Sequence, residues 1–382
     1  MNIALVGMMG CGKSSAGRLV ARRHKMRFAD TDSLVEKLAG KSIMGIFAQK
    51  GEKEFRKLEK KAVSMASSME NTVIATGGGA VMDAGSLENL RKNSVLFYLK
   101  AAPKILAERV AGGSKRPRLG VSNKEKRLAS LLNQRKRHYE LSDFVVDAEG
   151  SPEETARQIA ELLKFRGEIT AVIAETTVQM AKKRIREASR LGADAVELRL
   201  DKLGTGGGEA AAVLVKLAKG LGLKCIATFR KKRGTTASQR IAVLTECLSF
   251  GADFVDLDAS ELKNAGRIPK RKIIASFHGF KATPSAARLE QLLAKMSRRA
   301  ASVKFACKLR SAGDEKRLFA LLEKAEAGGT GIAAFGVGEN CRRSRVVASL
   351  KGSRLFYAHM GRKSAPGQYP LKEAVELRRS LS

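Results

Sequence analysis

The stretch Ile3-Ala4-Leu5-Val6-Gly7-Met8-Met9-Gly10-Cys11-Gly12-Lys13-Ser14 decides how the first half of the chain folds. Four apolar residues predict a buried strand, and Gly7 to Ser14 match the glycine-rich phosphate-binding loop that joins a strand to a helix. Glycines let backbone N–H groups curl around phosphate oxygens, while the helix starting near Lys13 points its positive dipole end at them. Lys13 then reaches the β- and γ-phosphates and Ser14 a Mg²⁺ ion, so ATP and Mg²⁺ are the expected ligands. Gly10, Cys11, Gly12 and Ser15 complete the expected ATP contacts. The strand before and the helix after make a bare glycine-rich turn the weaker alternative. Cys11 lies near a helix N-terminus beside Lys13, two features that activate a thiol, although this position of the loop also simply needs a small residue.

Outward from the loop, strands are expected near 27–30, 72–76, 95–99 and 144–147, with helical patterns between them. Ser151-Pro152-Glu153-Glu154 reads as a helix start, with a capping serine and proline at the first helical position. After a short linker at 165–168 a second rhythm begins. Apolar strands fall near 169–174, 195–200, 225–229, 253–257, 273–277, 302–306, 331–335 and 354–358, most of them separated by helical patterns. Eight such units predict a (β/α)₈ barrel, closed by a last helix from 371 to 381. The fold class is α/β: a parallel-sheet P-loop domain over 1–165 and a barrel over 168–382.

A chain of 382 residues fits two domains. No apolar run approaches the ~20 residues that cross a bilayer, and a strand starting at Asn2 leaves no room for a leader, so no membrane partner is expected. Five scattered cysteines show neither disulfide nor zinc spacing, which reads as a reducing cytoplasm. The formal net charge of +34 opens the possibility of a nucleic-acid partner. Lys and Arg are nevertheless spread over both halves, without a basic arm or interleaved aromatics, and favour anionic small substrates over nucleic acid.

The residues beyond the loop carry a closer likeness. Phe28-Ala29-Asp30-Thr31-Asp32, Gly51-Glu52-Lys53-Glu54-Phe55-Arg56, Gly77-Gly78-Gly79-Ala80, Arg116-Pro117, and Arg135 four residues before Tyr139 together resemble shikimate kinase. That family is a P-loop kinase of the nucleoside-monophosphate-kinase type. The resemblance implies that Asp30 holds the Mg²⁺ shell with Ser14 and that Asp32 contacts the hydroxyl to be phosphorylated. By the same token Arg56 and Arg135 grip the shikimate carboxylate, Gly78 and Gly79 let the backbone approach the ring, and Arg116 is the lid arginine over ATP. Arg135 sits in the basic run Arg135-Lys136-Arg137-His138 and reads equally well as part of a solvated face. Arg118 stands where the family usually has leucine.

In the second half, Glu197 and Arg199 alternate with Val196, Leu198 and Leu200, which turns the charged pair inward. Arg230 and His278 end their strands, and Lys304 lies within its strand between apolar neighbours. Reactive groups of such barrels gather at strand C-termini, and an enclosed lysine can form a Schiff base. A structural ion pair between Lys304 and Glu197 is the plain alternative. Glu197-Leu198-Arg199-Leu200-Asp201, Thr228-Phe229-Arg230, Ser276-Phe277-His278, Val303-Lys304, Ser344-Arg345 and Ser364-Ala365-Pro366-Gly367-Gln368 resemble type I 3-dehydroquinate dehydratase. The resemblance implies that Lys304 forms an imine with the substrate ketone, that His278 relays protons and that Arg345 binds the carboxylate. Glu197, Arg199, Arg230, Ser364 and Gln368 would hold hydroxyls or orient the catalytic pair, and no cofactor is needed. The chain departs from the family at Lys231-Lys232-Arg233-Gly234, at Gly279 and at Val337-Gly338.

The expected function is thus a bifunctional shikimate-pathway enzyme that phosphorylates shikimate and dehydrates 3-dehydroquinate. The alternatives are a kinase beside a degenerate barrel, and a basic P-loop protein associated with nucleic acid. The two steps are not consecutive, because a ketone must be reduced between them, so a separate shikimate dehydrogenase is an expected metabolic partner. A homodimer formed through the barrel is a further expectation.

Overall fold

The computed structural model describes residues 1–111, 121–204, 208–266, 268–361 and 363–381. Within them the chain forms two compact units, one built on Met1–Lys164 and the other on Phe165–Arg379.

The first unit holds β1 (Asn2–Val6), β2 (Arg27–Asp30), β3 (Thr72–Ala75), β4 (Ser94–Lys100) and β5 (Phe144–Asp147). They form one parallel sheet in the order β2-β3-β1-β4-β5. Every residue of β1 is buried, as expected of a central parallel strand covered on both faces. Because β1 lies between β3 and β4, its C-terminal end opens where the strand order switches, the usual ligand crevice of such sheets. There the chain turns at Gly7, whose φ of +146° leaves no room for a side chain: a Cβ would lie 2.6 Å from the Leu99 carbonyl oxygen. The helix Lys13–Arg23 follows directly. A long helical stretch, Ile43–Ser67, bends at Gly51, whose φ of 75° breaks the helical course and re-aims residues 52–67. The anticipated helix after Ser151 is Pro152–Leu162, and it carries a full capping box. Glu154 N–H donates to Ser151 Oγ at 3.1 Å, and Ser151 N–H donates to the Glu154 carboxylate at 2.8 Å.

The second unit holds β6 (Glu168–Ile173), β7 (Ala195–Arg199), β8 (Lys224–Thr228), β9 (Phe254–Asp258), β10 (Ile273–Gly279), β11 (Ser302–Lys308), β12 (Gly331–Val337) and β13 (Leu355–His359). Each pairs in parallel with the next from β6 to β12, and β13 pairs with β6, giving the curled sheet of a (β/α)₈ barrel. Three details differ from a regular barrel. Between β9 and β10 stand two single 3₁₀ turns, Leu262–Asn264 and Lys270–Lys272, in place of a helix. A two-residue strand, β14 (Tyr369–Pro370), adds to the end of β13. Among the described residues no ladder joins β12 to β13. Arg354 N–H donates to the Ile332 carbonyl at 2.8 Å at the base of that seam. At the mouth, Gly338 N–H donates to the Pro366 carbonyl at 3.5 Å. No described helix is long and apolar enough to cross a membrane.

Candidate active sites

In the first unit, the loop after β1, the loop after β3 and the bend at Gly51 converge on one cavity of about 1540 Å³. Gly10, Cys11, Gly12, Lys13, Ser14, Ser15, Asp30, Asp32, Arg56, Gly78, Gly79 and Arg135 all line it. Arg116 falls outside the described residues.

Lys13 folds over its own loop, donating to the carbonyl oxygens of Gly7 at 2.9 Å and Met8 at 2.8 Å. Ser14 Oγ donates to Asp30 Oδ2 at 2.6 Å, so a hydroxyl and a carboxylate stand side by side at the start of the helix. The other oxygen of Asp30 caps the helix Thr31–Ala39, accepting from Asp32 N–H at 3.0 Å. Two hard oxygen donors beside the phosphate loop suit Mg²⁺, which is normally held by few protein oxygens together with phosphates and water. Cys11 departs from the expectation of a reactive thiol. It is only 2% exposed, with Sγ accepting from Lys13 Nζ at 3.5 Å, so reagents in solution have little access to it.

Arg56 follows the Gly51 bend by about one and a half turns. Its guanidinium donates to Glu52 at 3.0 and 3.2 Å and to Glu59 at 2.7 Å. The loop opposite is glycine where these functional side chains press against it. A Cβ on Gly79 would sit 2.5 Å from Arg56 Nη1, and one on Gly77 would sit 2.6 Å from Asp32 Oδ1. Arg135 is engaged with the site instead of belonging to a merely solvated face: it and Tyr139, one helical turn on, both donate to the Gly78 carbonyl, at 3.0 and 2.5 Å. The sequence reading missed the buried Glu59, although it lies three residues after Arg56 on the same helix face.

The barrel cavity, about 540 Å³, opens at the C-terminal ends of the strands. Glu197, Arg199, Arg230, His278, Lys304, Arg345, Ser364 and Gln368 all line it, each brought in by a different strand or loop except the Glu197/Arg199 and Ser364/Gln368 pairs. Lys304 is buried on β11. The alternative reading had paired it with Glu197, which lies 3.5 Å away, yet its closer partner is Asp256, a fully buried carboxylate on β9. Asp256 also accepts from Arg230 Nη2 at 2.8 Å and from Ser276 Oγ at 2.7 Å. Burial opposes its charge, but Arg230 and Lys304 outweigh that and hold its pKa well below the usual carboxylate range. The Tyr357 ring lies 4.6 Å from the Lys304 ammonium, with its hydroxyl 3.5 Å away.

His278 ends β10, with Nδ1 3.7 Å from Asp258 Oδ2 and its ring stacked on Phe280 at 5.4 Å. Burial lowers the imidazole pKa, and the nearby Asp258 carboxylate opposes the shift. Arg199 is locked to Asp201 by two parallel bonds of 2.9 Å. Arg345 is 3% exposed, stacks over Phe335 at 4.5 Å, and has Nε and Nη2 buried without a hydrogen-bond partner. Burial pulls its pKa down to about 10. A buried cation with idle donors is costly unless an anion meets it. Gln368 clamps the loop above, its carbonyl oxygen accepting from Ser364 N–H at 2.9 Å, Ser364 Oγ at 3.0 Å and Ala365 N–H at 3.2 Å. Asp256, Asp258 and Tyr357 were missed from sequence. The two aspartates alternate with Leu257 on β9 just as Glu197 and Arg199 do around Leu198, and that signal would have found them.

The comparisons with known proteins divide at the same point. The chain matches the family models Shikimate kinase over residues 9–164 and Type I 3-dehydroquinase over residues 169–382. Its first half is similar to the shikimate kinase of Caldanaerobacter subterraneus subsp. tengcongensis, 44% identical over 168 residues that are 44% of this chain and 98% of that one. It is 41% identical to the shikimate kinase of Thermodesulfovibrio yellowstonii over 159 residues, 41% of this chain and 92% of the other. The second half has the fold of the 3-dehydroquinate dehydratase from Geobacillus kaustophilus, with a TM-score of 0.52 and 19% identity over 56% of this chain and 91% of that one.

Proposed function

We infer residue roles from one premise: the chain belongs to the shikimate kinase family in its first half and to the type I 3-dehydroquinase family in its second. It is a bifunctional shikimate-pathway enzyme, a phosphotransferase and a hydro-lyase in one polypeptide. Neither the nucleic-acid reading nor a kinase with a degenerate barrel is favoured by these matches. The roles of individual side chains are our proposal. The observation that carries it is the barrel cavity, where a buried lysine, a histidine and an arginine with idle donors face one space.

In that cavity the Lys304 amine attacks the substrate ketone, losing water to give an iminium. Attack needs the unprotonated amine, and the carboxylates of Asp256 and Glu197 flank the nitrogen that gives up its proton. His278 removes a proton from the carbon beside the iminium, and the C–H electron pair moves into the C=N⁺ bond as an enamine. The pair then returns to expel the hydroxyl on the next carbon, which takes the proton back from His278 and leaves as water. A second water hydrolyses the iminium and frees Lys304, so one water is lost overall. Arg345 takes the substrate carboxylate, which fits its unsatisfied donors. Glu197, Arg199, Arg230, Ser364 and Gln368 hold hydroxyls or the catalytic pair.

In the P-loop unit the kinase uses ATP. We propose that Ser14 and Asp30 would hold Mg²⁺, partly through water, and that the ion would supply positive charge to offset that of the phosphates. Asp32 accepts the proton of the shikimate hydroxyl as its oxygen bonds the γ-phosphorus and the bond to ADP breaks. Lys13 and Arg116 offset the charge, Gly10, Cys11, Gly12 and Ser15 cradle the phosphates, and Arg56 and Arg135 hold the carboxylate beside Gly78 and Gly79. Between the two reactions a ketone must be reduced, so a separate shikimate dehydrogenase is the metabolic partner. Five unpaired buried cysteines fit a reducing cytoplasm. The test is to assay one preparation with 3-dehydroquinate, and with shikimate plus ATP. Both turnovers are expected, and absence of either would remove that half of the reading.

A further inference from the structure

His278 can serve as a base only if one ring nitrogen carries a lone pair directed at the substrate, and the hydrogen bond at the other nitrogen decides which one does. Nδ1 faces Asp258 Oδ2 at 3.7 Å. Asp258 is itself fixed. Its Oδ1 accepts from Ser260 N–H at 2.9 Å and from Ser260 Oγ at 2.6 Å, which leaves Oδ2 as the oxygen turned to the ring. Phe280 stacks on the ring and limits its rotation. The imidazole also feels the charges of Asp256 on β9, Arg230 beyond β8 and Lys304 on β11. The other carboxylates lining the cavity are engaged elsewhere, Glu197 with Thr228 and Lys304 and Glu261 with Arg240. Asp256 is spent on Arg230, Ser276 and Lys304. Asp258 is therefore the carboxylate that remains for Nδ1.

We propose that Asp258 is the positioning residue of the dehydratase site: it holds the proton of His278 on Nδ1 by accepting its hydrogen bond, so that the Nε2 lone pair faces the iminium. The Ser260 turn is the device that aims it. This rests on the reading of His278 as the proton carrier.

The two donors of Ser260 give the proposal a distinctive signature. In Asp258→Asn they keep the amide oxygen, so the amide NH₂ faces Nδ1 and donates to it. That drives the ring proton to Nε2, the wrong tautomer. In Asp258→Ala no group enforces either tautomer. Asparagine, the closer isostere, should thus be the more damaging change, whereas a merely structural role would make alanine worse.

The experiment measures kcat and KM for 3-dehydroquinate in Asp258→Asn, Asp258→Ala and Asp258→Glu across pH, with borohydride trapping of each. Asp258→Asn should lose kcat by about 10²–10⁴-fold, the scale of a wrong tautomer in a catalytic triad. Asp258→Ala should lose less and Asp258→Glu least, with KM little changed. Without the carboxylate the acid limb of the Ala variant should move to lower pH. Borohydride should still attach substrate to Lys304 in all of them. An Asn variant as active as the Ala variant, or a loss confined to KM, would overturn the proposal while labelled Lys304 leaves the underlying reading intact. No label on wild-type Lys304 would overturn the underlying reading, and this proposal with it.

Discussion

Asp256 and Lys304, two strands apart in the barrel wall, share a buried ion pair whose carboxylate is also gripped by Arg230. The pair stands where the sequence had suggested Glu197 alone. Removing one member of such a pair leaves the other charge buried and uncompensated, a loss of about 3–5 kcal/mol. Asp256→Ala should therefore unfold the barrel at lower urea, read as the midpoint for proteolytic cleavage of barrel peptides. The kinase midpoint in the same samples should stay put. Equal midpoints for wild type and variant dehydratase would contradict the energetic role given to Asp256.

Lys304→Ala should abolish dehydration and borohydride labelling together while leaving shikimate-dependent ADP formation nearly intact. Mass spectrometry of the wild-type protein should find the reduced adduct on the peptide containing Lys304. An adduct elsewhere would move the nucleophile.

Arg345 sets function against stability. Its Nε and Nη2 are buried and idle in the folded chain, so replacing it by an apolar residue of similar length removes a desolvation cost of about 1–4 kcal/mol. The same change removes a charged bond to substrate worth about 2–4 kcal/mol. Arg345→Met should thus hold or raise the urea midpoint while weakening 3-dehydroquinate affinity by roughly 30-fold or more. A variant both less stable and unaltered in affinity would refute the assignment.

On the kinase side, Gly79→Ala would place a methyl 2.5 Å from Arg56 Nη1. The arginine must swing away, so the change should mimic Arg56→Ala: a rise of roughly tenfold or more in KM for shikimate, with KM for ATP little changed. Equal effects on both substrates would show that the loop had been disturbed as a whole.

His278 is held below its ordinary value by burial first, with Lys304 and Arg230 reinforcing and Asp258 opposing. The folded barrel therefore takes up that proton less readily than the unfolded chain. Its contribution to stability is present above pH ~6.5 and is lost as pH falls from there through the folded value. The acid limb of dehydratase kcat/KM should lie below pH ~6.5, the ordinary histidine value. Urea midpoints for dehydratase about one pH unit above and below the ordinary histidine value should differ, the lower pH being the weaker. A midpoint rising at the lower pH would mean that the folded barrel binds this proton more tightly than the unfolded chain.

The parts of this architecture that depend on local order were legible in the chain. The phosphate loop, the capping box at Ser151 and the eight strands all rest on neighbours in sequence, and the inward turn of Glu197 follows from the period of two. What escaped were relationships fixed by register between distant strands. Asp256 reaches Lys304 across 48 residues and Arg230 across 26, and nothing local to any of the three states the pairing. Cys11 shows the opposite failure: its electrostatic setting was readable, but its burial depends on how the loop packs.

The slit between β12 and β13 gives the cylinder a freedom that a fully laddered ring lacks. A sheet paired all round has a fixed girth, and widening its mouth would tear backbone bonds along a strand. Here the two edges are stitched at the base by Arg354 and Ile332 and fastened at the rim by the turn that Gln368 organises. Spreading the rim would therefore undo that fastener and the Phe335–Tyr357 ring contact across the seam, with every strand pairing intact. Since Ser364 and Gln368 are themselves cavity residues, the molecule uses one turn both as a hoop around its wall and as part of the seat for what it holds.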